Sequence, residues 1–220
     1  MIVKTFIEPP IDNNNYLIVD ESSREAALID CSAIDIWDKV PQTKGIAAIS
    51  TSGANRGEIN NIHLKYILLT HGHCDHIAGL RPFNNENPPK VFMNKNDLKI
   101  LNQVNNYLPM FGMSEISIPN IDRFVEDGDI IKLGNTNIQV LHTPGHTQGS
   151  VCYLAEGKLF SGDTIFREAV GRCDLEGGDF NQIVESIESK IFTLPDDTEI
   201  YPGHGKPTNV GWEKIHNRFL

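Results

Sequence analysis

The chain has 220 residues, of which 40% are hydrophobic and 22% are charged, and its formal net charge at pH 7 is −10. A chain of this length buries well over half of the surface of its unfolded form, so we expect a single domain over residues 1–220. The acidic balance argues against a nucleic-acid surface, because phosphate is bound mainly by Lys and Arg.

The cysteines and the apolar segments indicate the compartment. Free thiols in a reducing cytosol are expected, because no CxxC pair occurs among the four cysteines, which are Cys31, Cys74, Cys152 and Cys173. The apolar N-terminal run is too short and too interrupted for a signal peptide, and no run approaches the ~20 residues that a membrane helix needs. We therefore expect a cytoplasmic protein without a membrane segment, with organelle import as the alternative.

The first half of the chain predicts strands and one short helix. Ser32 is expected to cap this helix, which should carry Ile34, Trp37 and Val40. The Gly- and Asn-rich residues 41–61 predict a loop, or a helix near 46–49 followed by a loop. Apolar, β-favouring runs between turn signals predict strands at residues 2–7, 16–19, 26–29 and 65–69.

The remainder of the chain, from residue 91, predicts two hairpins and three helices. Gly134-Asn135 and Glu156-Gly157 are turn signals, and each lies between two apolar runs. Further strands are predicted at 91–93, 130–133, 138–141, 151–154, 158–161 and 199–201. Helices are expected at 96–105, at 180–192 with Ile183, Ile187 and Ile191 on one face, and at 212–217, with an irregular connector at 107–121. Each half runs from strands to a loop with a helix, which indicates two similar layers packed together.

The densest cluster of ligand-type side chains follows the predicted strand at 65–69. Alternate residues of an extended segment share a face, so His71 and His73 can serve one metal site. Asp75 is a natural helix N-cap, so Asp75 and His76 can face a second site. Imidazole together with carboxylate suits zinc, iron or manganese rather than calcium or magnesium. Cys74, which lies between these residues, is expected to face away from the metals.

Three later strand ends carry further candidate ligands. His146 follows a Pro-Gly turn that re-aims it, whereas His142 is better explained by a structural hydrogen bond. Asp163 has two carboxylate oxygens and can bridge two metals. His204 lies between two glycines that allow a close approach of the backbone. Surface or core positions are expected for the histidines without such a context, His63 and His216.

Taken together, these motifs resemble those of the metallo-β-lactamase superfamily over nearly the whole chain. The His-x-His-x-Asp-His segment, the downstream histidines and Asp163 occur in the order typical of that family. The resemblance implies an α/β fold of four layers, an αββα sandwich. It also implies two divalent metal ions, with zinc expected and iron or manganese as alternatives, and with Asp163 bridging them. The implied ligands are His71, His73 and His146 for the first metal and Asp75, His76 and His204 for the second.

Within the superfamily the sequence is most similar to the glyoxalase II-related branch, whose short members hydrolyse hydroxyacylglutathione thioesters or similar compounds. The similarity lies at residues 142–147, 171–174 and 203–205. It makes Arg172 and Asp174 candidate substrate contacts, with a surface ion pair as the alternative. Phe166 is expected to line the pocket, with a core position as the alternative. Glyoxalase II proper adds a C-terminal helical domain with basic glutathione contacts, which this sequence is not expected to supply.

Two enzymatic functions are consistent with these residues. The favoured one is a thioester hydrolase, in which a hydroxide that bridges the two metals attacks the carbonyl while the catalytic carboxylate of Asp75 orients it. A thiolate leaves readily, because its thiol has a pKa of ~8.5, so no general acid is needed. The alternative is a persulfide dioxygenase of the same superfamily, for which the resemblance implies a single iron held by His71, His146 and Asp163.

A non-catalytic metal-binding module is disfavoured, because every expected ligand is present. The expected partner is a small thioester, with glutathione as a candidate thiol carrier, and no nucleic acid or membrane. The protein itself is expected to be a monomer or a small homo-oligomer.

Overall fold

Two six-stranded sheets pack face to face in the computed structural model, which describes residues 1–33, 36–39, 62–83 and 87–220. In spatial order the first sheet contains β1 (Ile2–Glu8), β2 (Asn13–Val19), β3 (Glu25–Ile29), β4 (His63–Leu68), β5 (Lys90–Met93) and β6 (Arg123–Phe124). The second contains β14 (Thr208–Asn209), β13 (Glu199–Pro202), β10 (Lys158–Gly162), β9 (Val151–Ala155), β8 (Thr136–His142) and β7 (Ile130–Leu133). A separate hairpin is formed by β11 (Ile165–Phe166) and β12 (Ala169–Val170).

Both sheets combine antiparallel with parallel pairing, and the parallel pairs matter for the site. In the first sheet β3, β4, β5 and β6 run parallel to one another. In the second sheet β10 and β13 are parallel, whereas β7 to β10 pair antiparallel. Parallel neighbours end at the same edge of a sheet, so the loops that follow them lie side by side.

Helices cover the outer face of each sheet, and three apolar clusters separate the layers. The first sheet is covered by α1 (Ile36–Lys39), α2 (Cys74–Ile77), α3 (Leu98–Asn102) and α4 (Val104–Tyr107). The second sheet is covered by α5 (Phe180–Ser186) and α6 (Val210–His216). The middle cluster joins the inner faces of the two sheets, with Tyr153 and Phe160 fully buried in it. The predicted four-layer αββα architecture is confirmed.

The two predicted hairpins are confirmed together with their turns. Leu133 pairs with Thr136 across the first turn, and Ala155 pairs with Lys158 across the second. In the second turn Glu156 has φ 47° and Gly157 has φ 73°. Two successive residues with positive φ give the turn twist that matches the twist of antiparallel strands.

The predicted helix at 96–105 is interrupted. A 3-10 turn at Lys95–Asp97 precedes α3, and α3 and α4 are separated at Gln103, whose backbone lies near φ −99°, ψ 0°. A second 3-10 turn, Leu108–Phe111, occupies part of the segment expected to be irregular. The segment expected to form one helix is therefore divided among short turns, and the Asp97 side chain makes no capping hydrogen bond to α3.

Other local predictions differ from the structure in detail. Asp75 does not cap α2, which begins at Cys74 with His73 as the N-cap residue, so Asp75 lies in the first turn. The helix expected at 180–192 is α5 followed by a π-helical turn at Ile187–Ile191. Ser32, which was expected to cap the first helix, accepts a hydrogen bond at its hydroxyl from the Asn15 side chain. Residues 34, 40 and 41–61, for which a helix and a loop were predicted, lie outside the described residues.

The four cysteines form no disulfide, as expected, and three of them are buried. Among the residues that the structure describes, no helix is long and apolar enough to cross a membrane.

Candidate metal centre

Four strand ends bring the predicted ligands together. The segment that carries His71 and His76 follows β4, and the loop that carries His146 follows β8. Asp163 directly follows β10, and His204 follows β13, the parallel neighbour of β10. The register of the sheets thus brings residues that are up to 133 positions apart in the sequence, from 71 to 204, into one cluster.

One group consists of three histidine rings that converge on a common point. The Nε2 atom of His146 lies 3.2 Å from Nε2 of His71 and 2.9 Å from Nδ1 of His73. His71 and His146 are almost completely buried, whereas His73 is partly exposed. The group predicted for the first metal, His71, His73 and His146, is therefore assembled in space.

Hydrogen bonds on the far side of two of these rings determine which nitrogen faces the cluster. The Nδ1 atom of His146 lies 2.8 Å from the carbonyl oxygen of Arg172, which can only accept. The Nδ1 atom of His71 lies 3.1 Å from Oγ1 of Thr70, whose own proton is donated to Asp30. Both rings therefore carry their proton on Nδ1 and direct the Nε2 lone pair into the cluster, as metal-binding histidines do.

The second group contains Asp75, His76 and His204, and it too is assembled. The Nε2 atom of His204 lies 3.2 Å from Oδ2 of Asp75, and Nε2 of His76 lies 3.7 Å from the same oxygen. On its far side His76 donates from Nδ1 to Oδ2 of Asp30 at 2.7 Å. The loop of His204 is held by Asn14, whose amide donates to the carbonyls of Pro202 and Gly205.

Asp163 lies between the two groups. Its Oδ1 atom is 3.3 Å from Nε2 of His76, and its Oδ2 atom is 3.6 Å from Nε2 of His146 and 3.7 Å from Nε2 of His204. One carboxylate thus faces histidines of both groups, which is the position expected of a bridging ligand.

Burial and neighbouring charges shift the pKa values of histidines in the two groups in opposite directions. Burial lowers the pKa of His71 well below its usual value, and burial together with His146 lowers the pKa of His73 to about 4. For His76 burial acts to lower the pKa, but the carboxylates of Asp163, Asp30 and Asp75 outweigh it and raise the pKa. Burial acts to raise the pKa of Asp163, and the neighbouring histidines hold it below its usual value. At neutral pH His71 and His73 are therefore neutral and Asp163 is ionised.

The residues fit a transition-metal centre. Nε2 of His76 and Oδ1 of Asp163 are buried and make no hydrogen bond within the part of the chain that the structure describes. A buried polar atom without a partner costs about 1–3 kcal/mol, and a cation between these two atoms would remove that cost. Five imidazoles and two carboxylates form a donor set that suits zinc, iron or manganese.

The predicted substrate contacts lie around this cluster. The ring of Phe166 is half-buried, with its centroid 6.2 Å from that of His204. The side chains of Arg172 and Asp174 are exposed and pair with each other at 2.7 and 2.8 Å, as in the ion-pair alternative. The part of Arg172 that reaches the centre is its carbonyl oxygen. Contacts of these three residues with a substrate stay a prediction.

The remaining candidates lie outside the cluster. His142 places Nε2 3.0 Å from the carbonyl oxygen of Gln148, which agrees with a structural role. His63 is exposed on β4, and His216 stacks on the ring of Trp212. Cys74 packs into the apolar cluster beneath the first sheet and so faces away from the ligands.

Several residues that support the ligands were missed by the sequence reasoning. Asp30 follows β3 at the edge where β4 also ends, so its place at a parallel strand end was a usable signal. Thr70 occupies the same kind of position after β4. No comparable signal marks Asn14 or Asp97, because polar residues in turns and at strand starts are common.

Comparisons with known proteins agree with this geometry. The family model of the metallo-beta-lactamase superfamily matches residues 9–204. The hydroxyacylglutathione hydrolase GloC of Haemophilus influenzae is 34% identical over 205 residues, which cover 87% of this chain and 92% of GloC. This relative supports the predicted similarity to the glyoxalase II-related branch.

Two solved structures extend the likeness to the whole chain. The BLEG-1 B3 metallo-beta-lactamase has a TM-score of 0.80 and 30% identity, covering 100% of this chain and 99% of its own. TTHA1623, solved in a di-iron-bound form, has a TM-score of 0.80 and 28% identity, covering 99% of this chain and 100% of its own. The match over residues 9–204, together with the four-layer fold and the assembled ligand set, shows that this chain belongs to the metallo-β-lactamase superfamily.

Proposed function

We propose that this protein is a binuclear metallo-hydrolase that cleaves a small thioester of the hydroxyacylglutathione type. The observation that carries the proposal is the pair of ligand groups joined by Asp163, each with three side chains that can bind one ion. Zinc is the proposed metal, with iron or manganese as alternatives. Divalent ions at such a centre supply Lewis acidity: they lower the pKa of water towards neutrality and stabilise negative charge on a carbonyl oxygen.

Asp75 is the proposed catalytic carboxylate. Burial acts to raise its pKa, but His76 and His204 outweigh burial and hold the pKa below its usual value, so the side chain is ionised at neutral pH. Its side chain is 17% exposed, which leaves it accessible to water at the edge of the cluster. An ionised, accessible carboxylate can accept a hydrogen bond from the attacking water and orient it towards the substrate carbonyl.

A thioester substrate is supported by two considerations. The named activity of GloC, which shares 34% identity with this chain, is hydroxyacylglutathione hydrolysis. A thiolate is also a good leaving group, because its thiol has a pKa of ~8.5, so the site needs no proton donor for it. Phe166, half-buried beside His204, is proposed to contact the acyl or thiol part of the substrate.

An iron-dependent persulfide dioxygenase is the second candidate. His146 lies 3.2 Å from His71 and 3.6 Å from Asp163, so the three residues expected to hold a single iron also converge. The hydrolase is favoured because the dioxygenase triad leaves Asp75 and His204 without a role, although they lie 3.2 Å apart in the second group.

Metal analysis combined with two assays tests the proposal on protein purified without oxygen. One assay follows thiol release from lactoylglutathione, and the other follows oxygen uptake with glutathione persulfide. We expect two metal ions per chain and thiol release. One iron per chain with oxygen uptake would establish the dioxygenase instead.

A single substitution tests the need for the second group. We expect His204→Ala to reduce kcat for thioester hydrolysis by more than about 100-fold, the upper end of the range seen for residues that only orient a ligand. His63→Ala is the matched control, because His63 is exposed on β4 outside both groups. Hydrolysis by His204→Ala at the wild-type rate would contradict the binuclear mechanism.

A further inference from the structure

Asp97 is a fully buried carboxylate that contacts none of the candidate ligands through its side chain. It ends the 3-10 turn before α3, and its side chain makes no capping hydrogen bond to that helix. Burial of a carboxylate destabilises the folded state unless hydrogen bonds compensate for the lost hydration, so the hydrogen-bond partners of Asp97 indicate its role.

Three hydrogen bonds join the Asp97 carboxylate to two separate loops. Its Oδ2 atom accepts from the backbone N–H of Gly72 at 2.8 Å and from the hydroxyl of Thr147 at 2.8 Å. Its Oδ1 atom accepts from the backbone N–H of Gly149 at 2.7 Å. Gly72 lies between His71 and His73, and Thr147 directly follows His146.

Both loops approach Asp97 closely, and each does so at a glycine. A Cβ atom at Gly149 would lie 2.5 Å from Cγ of Asp97, which is far inside contact distance. A Cβ atom at Gly72 would lie 3.1 Å from the Asp97 carbonyl oxygen and 3.2 Å from its Cβ atom. The carboxylate therefore lies between the two loops and contacts the backbone of both.

We infer that Asp97 is a positioning residue, which holds the loop of His71 and His73 against the loop of His146 and so builds the three-histidine metal site. This inference rests on the proposed metal centre. It assigns Asp97 to one site only, because the second group is held by other residues, Asp30 and Asn14.

Asp97→Asn tests the inference. In either orientation the new NH₂ group of the amide faces a backbone N–H, so at least one of the three hydrogen bonds is lost. Zinc and cobalt affinities are measured by competition with a chelator on metal-free protein, and urea unfolding of the same samples is followed in parallel. We expect one of the two ions to bind roughly 10–100-fold more weakly, with the other unchanged.

Two further variants identify which site is affected. In a His204→Ala background the remaining high-affinity ion should occupy the three-histidine site, and Asp97→Asn should weaken it by the same factor. Asp122→Asn is a control for the chemical change, because Asp122 also accepts a backbone hydrogen bond, from Val91, and lies just before β6 outside both ligand groups, although it is exposed. It should leave both affinities unchanged.

The outcomes separate positioning from simple stabilisation. If both ions weaken equally, in proportion to the loss of folding stability, or if neither weakens, the inference is wrong. If Asp97→Asn does not fold, Thr147→Val decides, because it removes one of the three bonds and should weaken the same ion several-fold. Wild-type protein that binds no second ion would overturn the proposed function, whereas wild-type affinities in Asp97→Asn would overturn this inference alone.

Discussion

Replacement of Asp30 by Asn reverses the direction of one hydrogen bond beneath the second ligand group. Asp30 is 1% exposed, its Oδ1 accepts from the backbone N–H of Thr70 at 2.8 Å, and its Oδ2 accepts from Nδ1 of His76 at 2.7 Å. An Asn oxygen can keep the bond from the backbone N–H of Thr70, but not the bond that the Thr70 hydroxyl donates to Oδ2. The amide nitrogen must then face Nδ1 of His76, and two donors cannot bond to each other.

The least costly response is a change of tautomer in His76. If Nδ1 accepts from the new amide, the ring proton moves to Nε2, the atom that lies 3.3 Å from Asp163 inside the cluster. A protonated Nε2 cannot bind a metal, so one ligand of the second group is lost unless the old tautomer is restored. Residues that hold a ligand in its correct tautomer are worth roughly 10–100-fold in metal affinity, which corresponds to about 1.4–2.7 kcal/mol.

The assay is a two-ion titration of metal-free protein against a chromogenic chelator. We expect Asp30→Asn to weaken the ion at Asp75, His76 and His204 by this factor. The amide nitrogen would also face the Thr70 hydroxyl, which donates to Oδ2 of Asp30 and fixes the proton of His71, so a smaller loss is expected for the ion at His71, His73 and His146. Asp122→Asn again controls for the loss of an Asp at a strand end. Equal affinities in wild type and Asp30→Asn would refute the argument, because the tautomer of His76 would then not depend on Asp30.

Two other perturbations have expected outcomes. A Cβ atom at Gly203 would lie 2.3 Å from Oδ1 of Asp163, so Gly203→Ala must displace this carboxylate. We expect metal affinity to fall by roughly tenfold or more in the same titration, and unchanged affinity would contradict this. Glu25 binds Lys65 at 2.9 Å, and this hydrogen bond lowers the pKa of Glu25. The stability that this hydrogen bond contributes is present above the pKa of Glu25 in the unfolded chain. It is lost as the pH falls through the pKa of Glu25 in the folded protein. Glu25→Gln should therefore reduce the free energy of unfolding by about 0.5–1 kcal/mol at pH 7. In urea unfolding the difference from wild type should shrink as the pH falls through the lowered pKa of Glu25, and a difference that does not change with pH would contradict the argument.

Local patterns predicted the longer strands and the packing of two similar layers, whereas the four-layer αββα fold was expected from the family resemblance. Apolar runs on either side of the two turn dipeptides predicted both hairpins, since hairpin pairing depends on residues close in sequence. The short strands β6, β11, β12 and β14 were missed, because two residues carry no periodicity. The break at Gln103 in the helix expected at 96–105 was missed as well, because no Gly or Pro in this segment signals a break.

The sequence by itself determined which side chains are available to bind metal, because His, Asp and Gly at strand ends can be recognised one motif at a time. Tertiary structure alone decided how those side chains are oriented and protonated. The hydrogen bonds of Asp30 to His76, of the Arg172 carbonyl to His146 and of Asp97 to two loops join residues that are 25 to 52 positions apart. Such contacts exist only once the parallel strand ends of both sheets have been brought together, and no local pattern encodes them.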